Sequence, residues 1–386
     1  MYNMLNPLVK DIEISGIRQF YNLICDIEDV ISFTLGQPDF ETPEHIRKAA
    51  ISAIEKGKTS YTHNAGMLNL REAACEFYQR KYELDYHAEN EIIVTTGASE
   101  AIDIALRTIL VPGDEVILPG PVYPGYEPII HMCGALPIYV NTQESGFKMT
   151  ADQISKVVTA KTKCVILPYP SNPTGVTLTE IELQEIAALL RDKNIIVLAD
   201  EIYSELVFNE QHYSIARVLR DQTIVINGLS KSHAMTGWRI GFLMAPARIC
   251  QEVIKVHQYN VTCASSISQF AALEALTNGF DDAIEMREAY RERRNFVAKR
   301  LREIGLDFIL PDGAFYFFVK TPEGFVNSLN FCLKLVEESK VAVVPGSAFS
   351  HFGEGYFRLS YACSMENIEI GLQRMEDFLN MKKNSY

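Results

Sequence analysis

The stretch at 223–241 reads TIVINGLSKSHAMTGWRIG, and it carries the strongest chemical signal in the chain. Its β-branched run at 223–226 predicts a buried strand, which the following Asn-Gly pair ends. The polar loop after that strand contains Ser230 and Lys231, and Arg239 follows eight residues beyond the lysine. A rigid strand is therefore expected to deliver a hydroxyl, an amine and a guanidinium group to one region.

A lysine in such a loop can act as a nucleophile. Desolvation or a neighbouring cation lowers the pKa of its amine, and the neutral amine forms a Schiff base with an aldehyde. The hydroxyl of Ser230 and the guanidinium of Arg239 suit a phosphate monoester held near the amine of Lys231. A cofactor that is both an aldehyde and a phosphate monoester is pyridoxal 5'-phosphate (PLP). Taken alone, Ser-Lys-Ser is more often a solvated turn, so the rest of the chain decides between these interpretations.

Composition narrows the class of protein. The chain has 386 residues, of which 47% are hydrophobic, and this is ample for a buried core. A net charge of −13 argues against a nucleic acid or an anionic membrane as partner. The eight cysteines and eight histidines show no Cys-x-x-Cys or His-Glu-x-x-His pattern, so we expect neither a disulfide framework nor a metal. We predict a cytoplasmic protein, since no secretion signal or membrane span is evident.

The pattern from residue 91 onward predicts an α/β fold with a mostly parallel seven-stranded sheet covered by helices on both faces. Its strands are expected near 92–95, 115–118, 136–140, 164–167, 195–199, 223–226 and 239–244. Long helices and three more strands, near 315–319, 341–344 and 356–361, predict a smaller α+β domain. We expect an N-terminal arm at 1–42, a large domain at 43–290 and a small C-terminal domain at 291–386.

Polar clusters follow four of the predicted strands at their carboxyl ends, where parallel sheets bind ligands. Ala98 and Ser99 open a helix, whose free N–H groups and dipole attract an anion. Tyr123 lies between prolines and could stack on a planar ring. Asn172, in a proline-rich turn, could aim its amide at a phenolate-like oxygen. Asp200 directly follows the strand predicted at 195–199 and could keep a pyridine nitrogen protonated.

On the residues alone, alternatives to these roles stay open. Tyr123 also fits core or loop packing, and turn chemistry alone accounts for the Asn-Pro-Thr-Gly run at 172–175. Ser99 lies in a Gly-x-Ser-x-Ala pattern close to a hydrolase nucleophile elbow, for which His351 is the late histidine. Arg358, in an apolar late strand, is costly to bury unless a substrate carboxylate or an internal salt bridge pairs with it.

Together these segments resemble the fold-type I, class I/II PLP-dependent aminotransferases over essentially the whole chain. The specific part runs from Ser230 to Gly241, and Asn172-Pro-Thr-Gly, Asp200-Glu-Ile-Tyr203 and Arg358 follow the family's order. The resemblance implies transfer of an amino group between an amino acid and 2-oxoglutarate. It also implies a homodimer with shared active sites and with the N-terminal arm at the dimer interface.

The resemblance assigns a role to each candidate residue. Lys231 would bind PLP covalently and then move protons, while Asp200 would pair with the pyridine nitrogen. Tyr203 and Asn172 would contact the ring hydroxyl oxygen, and Tyr123 would stack on the ring. The residues implied to hold the phosphate are Ala98, Ser99, Ser230, Arg239 and, from the neighbouring subunit, Tyr61. The residues implied to bind the substrate α-carboxylate are Gly36, Asn172 and Arg358.

Substrate choice within the family rests on fewer residues. Some aspartate-specialised relatives carry a lysine just after the phosphate loop, where this chain has Glu100, and this disfavours a simple aspartate enzyme. Four segments, at 9–18, 61–66, 120–126 and 167–176, are most similar to a branch that acts on an N-acylated diamino acid in bacterial lysine synthesis. The alternatives are a transaminase for aspartate, alanine or aromatic amino acids, or a PLP carbon–sulfur lyase.

Overall fold

The computed structural model describes residues 4–10, 12–208 and 211–383. Part of the predicted arm (1–3 and 11) and the end of the predicted small domain (384–386) lie outside the described residues. The strands are β1 (Ile31–Ser32), β2 (Ile92–Thr95), β3 (Glu115–Gly120), β4 (Leu136–Asn141), β5 (Thr162–Leu167), β6 (Ile196–Asp200), β7 (Thr223–Gly228), β8 (Gly241–Met244), β9 (Tyr316–Lys320), β10 (Val341–Ala342), β11 (Val344–Pro345) and β12 (Tyr356–Ser360).

Helices connect these strands along most of the chain. They are α1 (Pro7–Lys10), α2 (Gly16–Ile24), α3 (Glu44–Glu55), α4 (Leu68–Tyr82), α5 (Gly97–Ile109), α6 (Tyr126–Met132), α7 (Ala151–Val157), α8 (Glu180–Leu190), α9 (Ala216–Leu219), α10 (Ala247–Asn260), α11 (Ser266–Thr277), α12 (Ala283–Ile304), α13 (Ser328–Ser339) and α14 (Met365–Lys383). Among the described residues, no helix is long and apolar enough to cross a membrane.

The main sheet has seven strands in the order β2-β8-β7-β6-β5-β3-β4. Its strands pair in parallel except for β8, which runs antiparallel to both β2 and β7. Along β7, Val225 faces one apolar layer while Ile224 and Ile226 face the other, so the sheet is buried on both faces. These findings confirm the predicted α/β fold with a mostly parallel seven-stranded sheet.

Several predicted strand bounds differ from the structure by one or two residues, and the start of the strand predicted at 239–244 has a clear physical reason. The strand expected at 239–244 begins at Gly241, because Arg239 has φ of 53° in the left-handed region and the chain turns before it enters β8. That turn leaves the Arg239 side chain beside the strand ends, where it can reach a ligand.

A smaller antiparallel sheet has the order β11-β12-β9, and β1 pairs in parallel with β10. The single strand predicted at 341–344 is therefore wrong: β10 and β11 belong to different sheets, and Val343 lies between them. The arm also contains helix α2, which the sequence interpretation missed. Phe20 of α2 and Phe33 are buried in the same apolar cluster as the small sheet. The division into arm, large domain and small domain stays a prediction.

Candidate active site

The carboxyl ends of β6 and β7 border a cavity of about 470 Å³. Its lining includes every predicted site residue except Tyr61: Gly36, Ala98, Ser99, Tyr123, Asn172, Asp200, Tyr203, Ser230, Lys231, Arg239 and Arg358. Tyr61 is 84% exposed and does not line this cavity, so its role in phosphate binding stays a prediction. The fold thus brings together side chains that are distant in the sequence.

Lys231 lies in the loop after β7, and its Nζ donates a hydrogen bond of 2.5 Å to the carbonyl oxygen of Gly36. Burial, followed by the positive charges of Arg358 and Arg239, lowers the pKa of Lys231 from 10.5 to about 8, although the Asp200 carboxylate acts in the opposite direction. A lysine amine with this pKa is neutral far more often near pH 7 to 8 than an ordinary lysine, so it is suited to nucleophilic and base catalysis.

Asp200 is the last residue of β6 and is buried at the floor of the cavity. The hydroxyl of Tyr126 donates to its Oδ2 at 2.6 Å, and the backbone N–H of Ile202 donates to its Oδ1 at 3.2 Å. Burial is the largest effect and raises the pKa of Asp200 overall, although these two hydrogen bonds and the charge of Lys231 act in the opposite direction. The two hydrogen bonds stabilise the ionised carboxylate, the form that accepts from a cationic N–H group.

Tyr126 was not among the predicted site residues. It lies in the segment at 120–126 that was singled out for Tyr123, but it begins helix α6, and its partner Asp200 is far away in the sequence. Buried tyrosine hydroxyls usually find a partner, so a second tyrosine in the segment that contains Tyr123 was the available signal.

We expect the substitution Tyr126→Phe to raise the pKa of Asp200, because it removes a hydrogen bond that stabilises the ionised carboxylate. The acidic limb of the pH profile of kcat/KM should move upward by about one pH unit. Tyr139→Phe is the matched control, since Tyr139 donates to the carboxylate of Glu127 at 2.7 Å outside this cavity. Equal profiles for both variants would contradict the role of Tyr126.

Arg358 is 1% exposed, and its partners are neutral. Its Nη1 donates to Asn172 Oδ1 at 2.8 Å, and its Nη2 donates to the carbonyl oxygen of Thr34 at 2.7 Å. Its Nε has no hydrogen-bond partner in the described part of the chain, where no salt bridge reaches this guanidinium either. Burial lowers the pKa of Arg358. A buried cation with neutral partners and a spare donor favours an external carboxylate over the internal salt bridge.

Two tyrosines, Tyr203 and Tyr316, lie next to this network. The hydroxyl groups of Tyr203 and Tyr316 lie 2.8 Å apart, and the guanidinium of Arg358 lies 4.4 Å from the centre of the Tyr316 ring. Because Asn172 accepts from Arg358 through Oδ1, its Nδ2 is left to donate elsewhere. Sequence reasoning missed Tyr316, which lies on β9 of the small sheet and contacts the cavity-lining Tyr203 only through tertiary folding.

The opposite end of the cavity suits a phosphate. Helix α5 begins at Gly97, so the N–H groups of Ala98 and Ser99 lie in its first turn, where the helix supplies no acceptor. A Cβ on Gly97 would lie 2.6 Å from Nη2 of Arg239, so only glycine lets the guanidinium rest against this turn. Ser230 adds a hydroxyl. Donors of this kind match a phosphate monoester.

The hydrolase alternative for Ser99 has no support in this geometry. His351 lies in a helical turn at 351–353, and its ring packs against Tyr139 outside the cavity lining. The residues that line the cavity instead fit PLP. The positively charged anion site matches the phosphate of PLP, and the lysine amine of lowered pKa matches its aldehyde. The carboxylate matches its ring nitrogen, and the tyrosine ring matches its ring face.

Comparison with known proteins is consistent with this site. The sequence profile of the family "Aminotransferase class I and II" matches residues 28–375. A Bacillus subtilis (strain 168) protein named probable N-acetyl-LL-diaminopimelate aminotransferase is 60% identical over 383 residues, which is 99% of this chain and 98% of that protein. Aromatic-amino-acid aminotransferase 2 of Thermococcus litoralis is 40% identical, covering 98% of this chain and 97% of that protein.

A solved structure agrees with the fold. The aspartate aminotransferase from Thermus thermophilus with maleate has a TM-score of 0.92 and 35% sequence identity, covering 97% of this chain and 99% of that chain. The fold and the lysine-centred cavity therefore define a fold-type I enzyme of amino-group transfer. The chain belongs to the class I and II aminotransferases, a PLP-dependent family whose substrates are amino acids and 2-oxo acids.

Proposed function

We propose that this enzyme binds PLP at Lys231 and transfers the amino group of N-acetyl-L,L-diaminopimelate to 2-oxoglutarate in lysine biosynthesis. The observation that carries the proposal is the 60% identity, over nearly the full length of both chains, to the Bacillus subtilis relative with that name. The relatives named for aromatic amino acids and aspartate are less similar, at 40% or below. The resemblance of the segments at 9–18, 61–66, 120–126 and 167–176 supports the same substrate.

In this proposal, the two ends of the cavity hold the cofactor in one orientation. Ala98, Ser99, Ser230 and Arg239 would bind its phosphate, and Tyr123 would stack on its ring. Asp200 would accept a hydrogen bond from the protonated ring nitrogen, while Tyr203 and Asn172 would contact the ring hydroxyl oxygen. Bound there, PLP would supply an electron sink for the electron pair released when the substrate Cα–H bond breaks.

The protein's own residues would position the substrate and move its proton. The buried guanidinium of Arg358, with its unpartnered Nε, would bind the α-carboxylate, joined by Asn172 and the backbone at Gly36. Lys231 also donates to the carbonyl oxygen of Gly36, which would help bind that carboxylate, so its amine would lie close to the substrate Cα and would take the proton from it. The same amine then returns a proton, and the second substrate reverses these steps, which predicts ping-pong kinetics.

We further propose a homodimer in which Tyr61 completes the site of the partner subunit. The side chain of Tyr61 is 84% exposed, although tyrosine is a large, partly apolar residue. Tyr259, at 88%, is another highly exposed aromatic residue, and such residues favour a protein interface.

A comparison of amino donors tests the substrate. N-acetyl-L,L-diaminopimelate, aspartate, alanine and phenylalanine would each be mixed with 2-oxoglutarate, and glutamate formation would be followed. We expect the acetylated donor to give the highest kcat/KM by at least about tenfold. An equal or higher value with a common amino acid would overturn the substrate and leave the aminotransferase assignment intact. Release of pyruvate from cystathionine without an oxo acid would instead favour the lyase.

The lowered pKa of Lys231 predicts how the cofactor-free protein takes up PLP. Below pH 8 the amine is mostly protonated, so the uptake rate should rise about tenfold per pH unit and level off above pH 8. An ordinary lysine would continue to gain reactivity up to about pH 10.4. Absorbance after rapid mixing measures the rate, and Nα-acetyllysine corrects for the titration of PLP itself. If the uptake rate reached half its maximum at the same pH as the reaction of Nα-acetyllysine with PLP, the lowered pKa of Lys231 would be contradicted.

A further inference from the structure

Behind the phosphate end of the cavity lies a buried pair, Glu100 and His257, that none of the roles above uses. Glu100 is 8% exposed and His257 is fully buried. The Nδ1 of His257 lies 2.7 Å from Oε1 of Glu100, and its Nε2 lies 2.9 Å from the carbonyl oxygen of Asn64. The other carboxylate oxygen, Oε2, accepts from the backbone N–H of Thr96 at 2.6 Å.

This geometry determines how many hydrogens the pair holds. A carbonyl oxygen only accepts, so the Nε2 of His257 must carry a hydrogen. A second hydrogen must lie between Nδ1 and Glu100 Oε1, since two bare acceptors at 2.7 Å would repel each other. Whether that hydrogen is on the ring or on the carboxyl group, the pair has no net charge. Glu100 can therefore sit directly after Ser99 without opposing a phosphate dianion.

The pair also connects two segments. Glu100 accepts a hydrogen bond from the N–H of Thr96, the residue that precedes helix α5. This contact fixes the first turn of α5 at 97–99, the phosphate turn, while the N–H groups of Ala98 and Ser99 stay free for a ligand. His257 holds the carbonyl of Asn64 in the segment that carries Tyr61.

Additional contacts keep that segment rigid. Gln269 is fully buried; its Oε1 accepts from the N–H of Met67 at 2.8 Å, and its Nε2 donates to the hydroxyl of Thr62 at 2.9 Å. The N–H of Val94, on β2, donates to the carbonyl oxygen of Ala65 at 3.0 Å.

We infer that Glu100 and His257 are positioning residues, which hold the phosphate turn and the Tyr61 segment in register through a neutral, hydrogen-sharing pair. The inference rests on the proposed function, because it assigns the phosphate of PLP to this turn. The pair would act on cofactor retention and not on proton transfer, since neither side chain lines the cavity.

The test measures the rate at which PLP leaves the holoenzyme after dilution, by the loss of its visible absorbance. Glu100→Ala should speed release at least about tenfold, because Thr96 N–H and His257 lose their partner. Glu100→Gln should stay within about twofold of wild type, since an amide can accept from Thr96 and donate to Nδ1. Saturating PLP should return kcat of Glu100→Ala to within about threefold.

The matched control is Glu91→Ala. Glu91 is also buried, accepts from the backbone N–H groups of His87 and Ala247, and pairs with Arg220, but it precedes the opposite end of β2. The substitution Glu91→Ala should lower the melting temperature without changing the rate of PLP release. Release from Glu100→Ala at the rate of this control, or release from Glu100→Gln as fast as from Glu100→Ala, would overturn the inference.

A second comparison covers the case in which Glu100→Ala does not fold. His257→Leu leaves the carboxylate without its hydrogen-sharing partner, and adding Glu100→Gln removes that charge. PLP should leave the single variant faster than the double variant, and equal rates would overturn the neutral-pair inference.

A wild-type protein that holds no PLP would defeat the proposed function, whereas a wild-type transaminase with unchanged variants would defeat only this inference.

Discussion

The substitution Lys231→Ala is expected to lower kcat/KM for transamination by at least about 10⁴-fold. Its amine, with a pKa lowered to about 8, lines the cavity and donates to the carbonyl oxygen of Gly36. Alanine removes both the nucleophile and the base, and no other lysine lines the cavity in the described part of the chain. Steady-state rates of glutamate formation measure the loss.

The control for this variant is Lys255→Ala, which removes a lysine whose side chain is 59% exposed on α10. It should keep full activity. Treatment with borohydride, followed by mass spectrometry, should attach PLP to a peptide containing Lys231 in the wild type and in the control. If Lys231→Ala retained activity within tenfold, or if another lysine carried the cofactor, the assignment of Lys231 would be wrong.

The substitution Arg358→Lys is expected to lower kcat/KM by about 10² to 10³-fold, on the order of the cost of breaking a buried, hydrogen-bonded charge pair. Lysine keeps the positive charge but loses the planar fork that contacts Asn172 and Thr34 and offers Nε. The loss should be similar for the amino donor and for 2-oxoglutarate, because both carry the carboxylate next to the reacting carbon.

The control for Arg358→Lys is Arg300→Lys. Arg300 is partly exposed and forms salt bridges with Glu303 of α12 and Glu376 of α14. That change should leave kcat/KM within about twofold, since pairs near the surface contribute little. PLP absorbance and melting temperature should show that Arg358→Lys still folds with cofactor. An unchanged kcat/KM for both substrates in Arg358→Lys would exclude the proposed carboxylate site.

Local patterns were enough to predict the main sheet. β-branched and apolar runs of four to six residues produced the strands, as in β2 and β7, where every residue is buried. Helix α2 has the matching signal, with Ile17, Phe20 and Ile24 on one face, yet the polar residues between them hid it within the arm. The break at Val343 carried no local signal, because the two halves of that segment differ only in their tertiary partners.

Several side chains that line the cavity could be predicted from the amino-acid sequence, because Ala98, Asp200 and Lys231 lie at or just after the carboxyl ends of β2, β6 and β7, which the sheet gathers at one edge. The neighbouring residues that hydrogen-bond to these side chains or shift their pKa values could be identified only in the folded chain. The contact of Tyr126 with Asp200, the neutral partners of Arg358 and the pairing of His257 with Glu100 all join residues at least 74 positions apart. Hydrogen bonds and pKa shifts depend on distance in space, and no spacing along the chain encodes that distance.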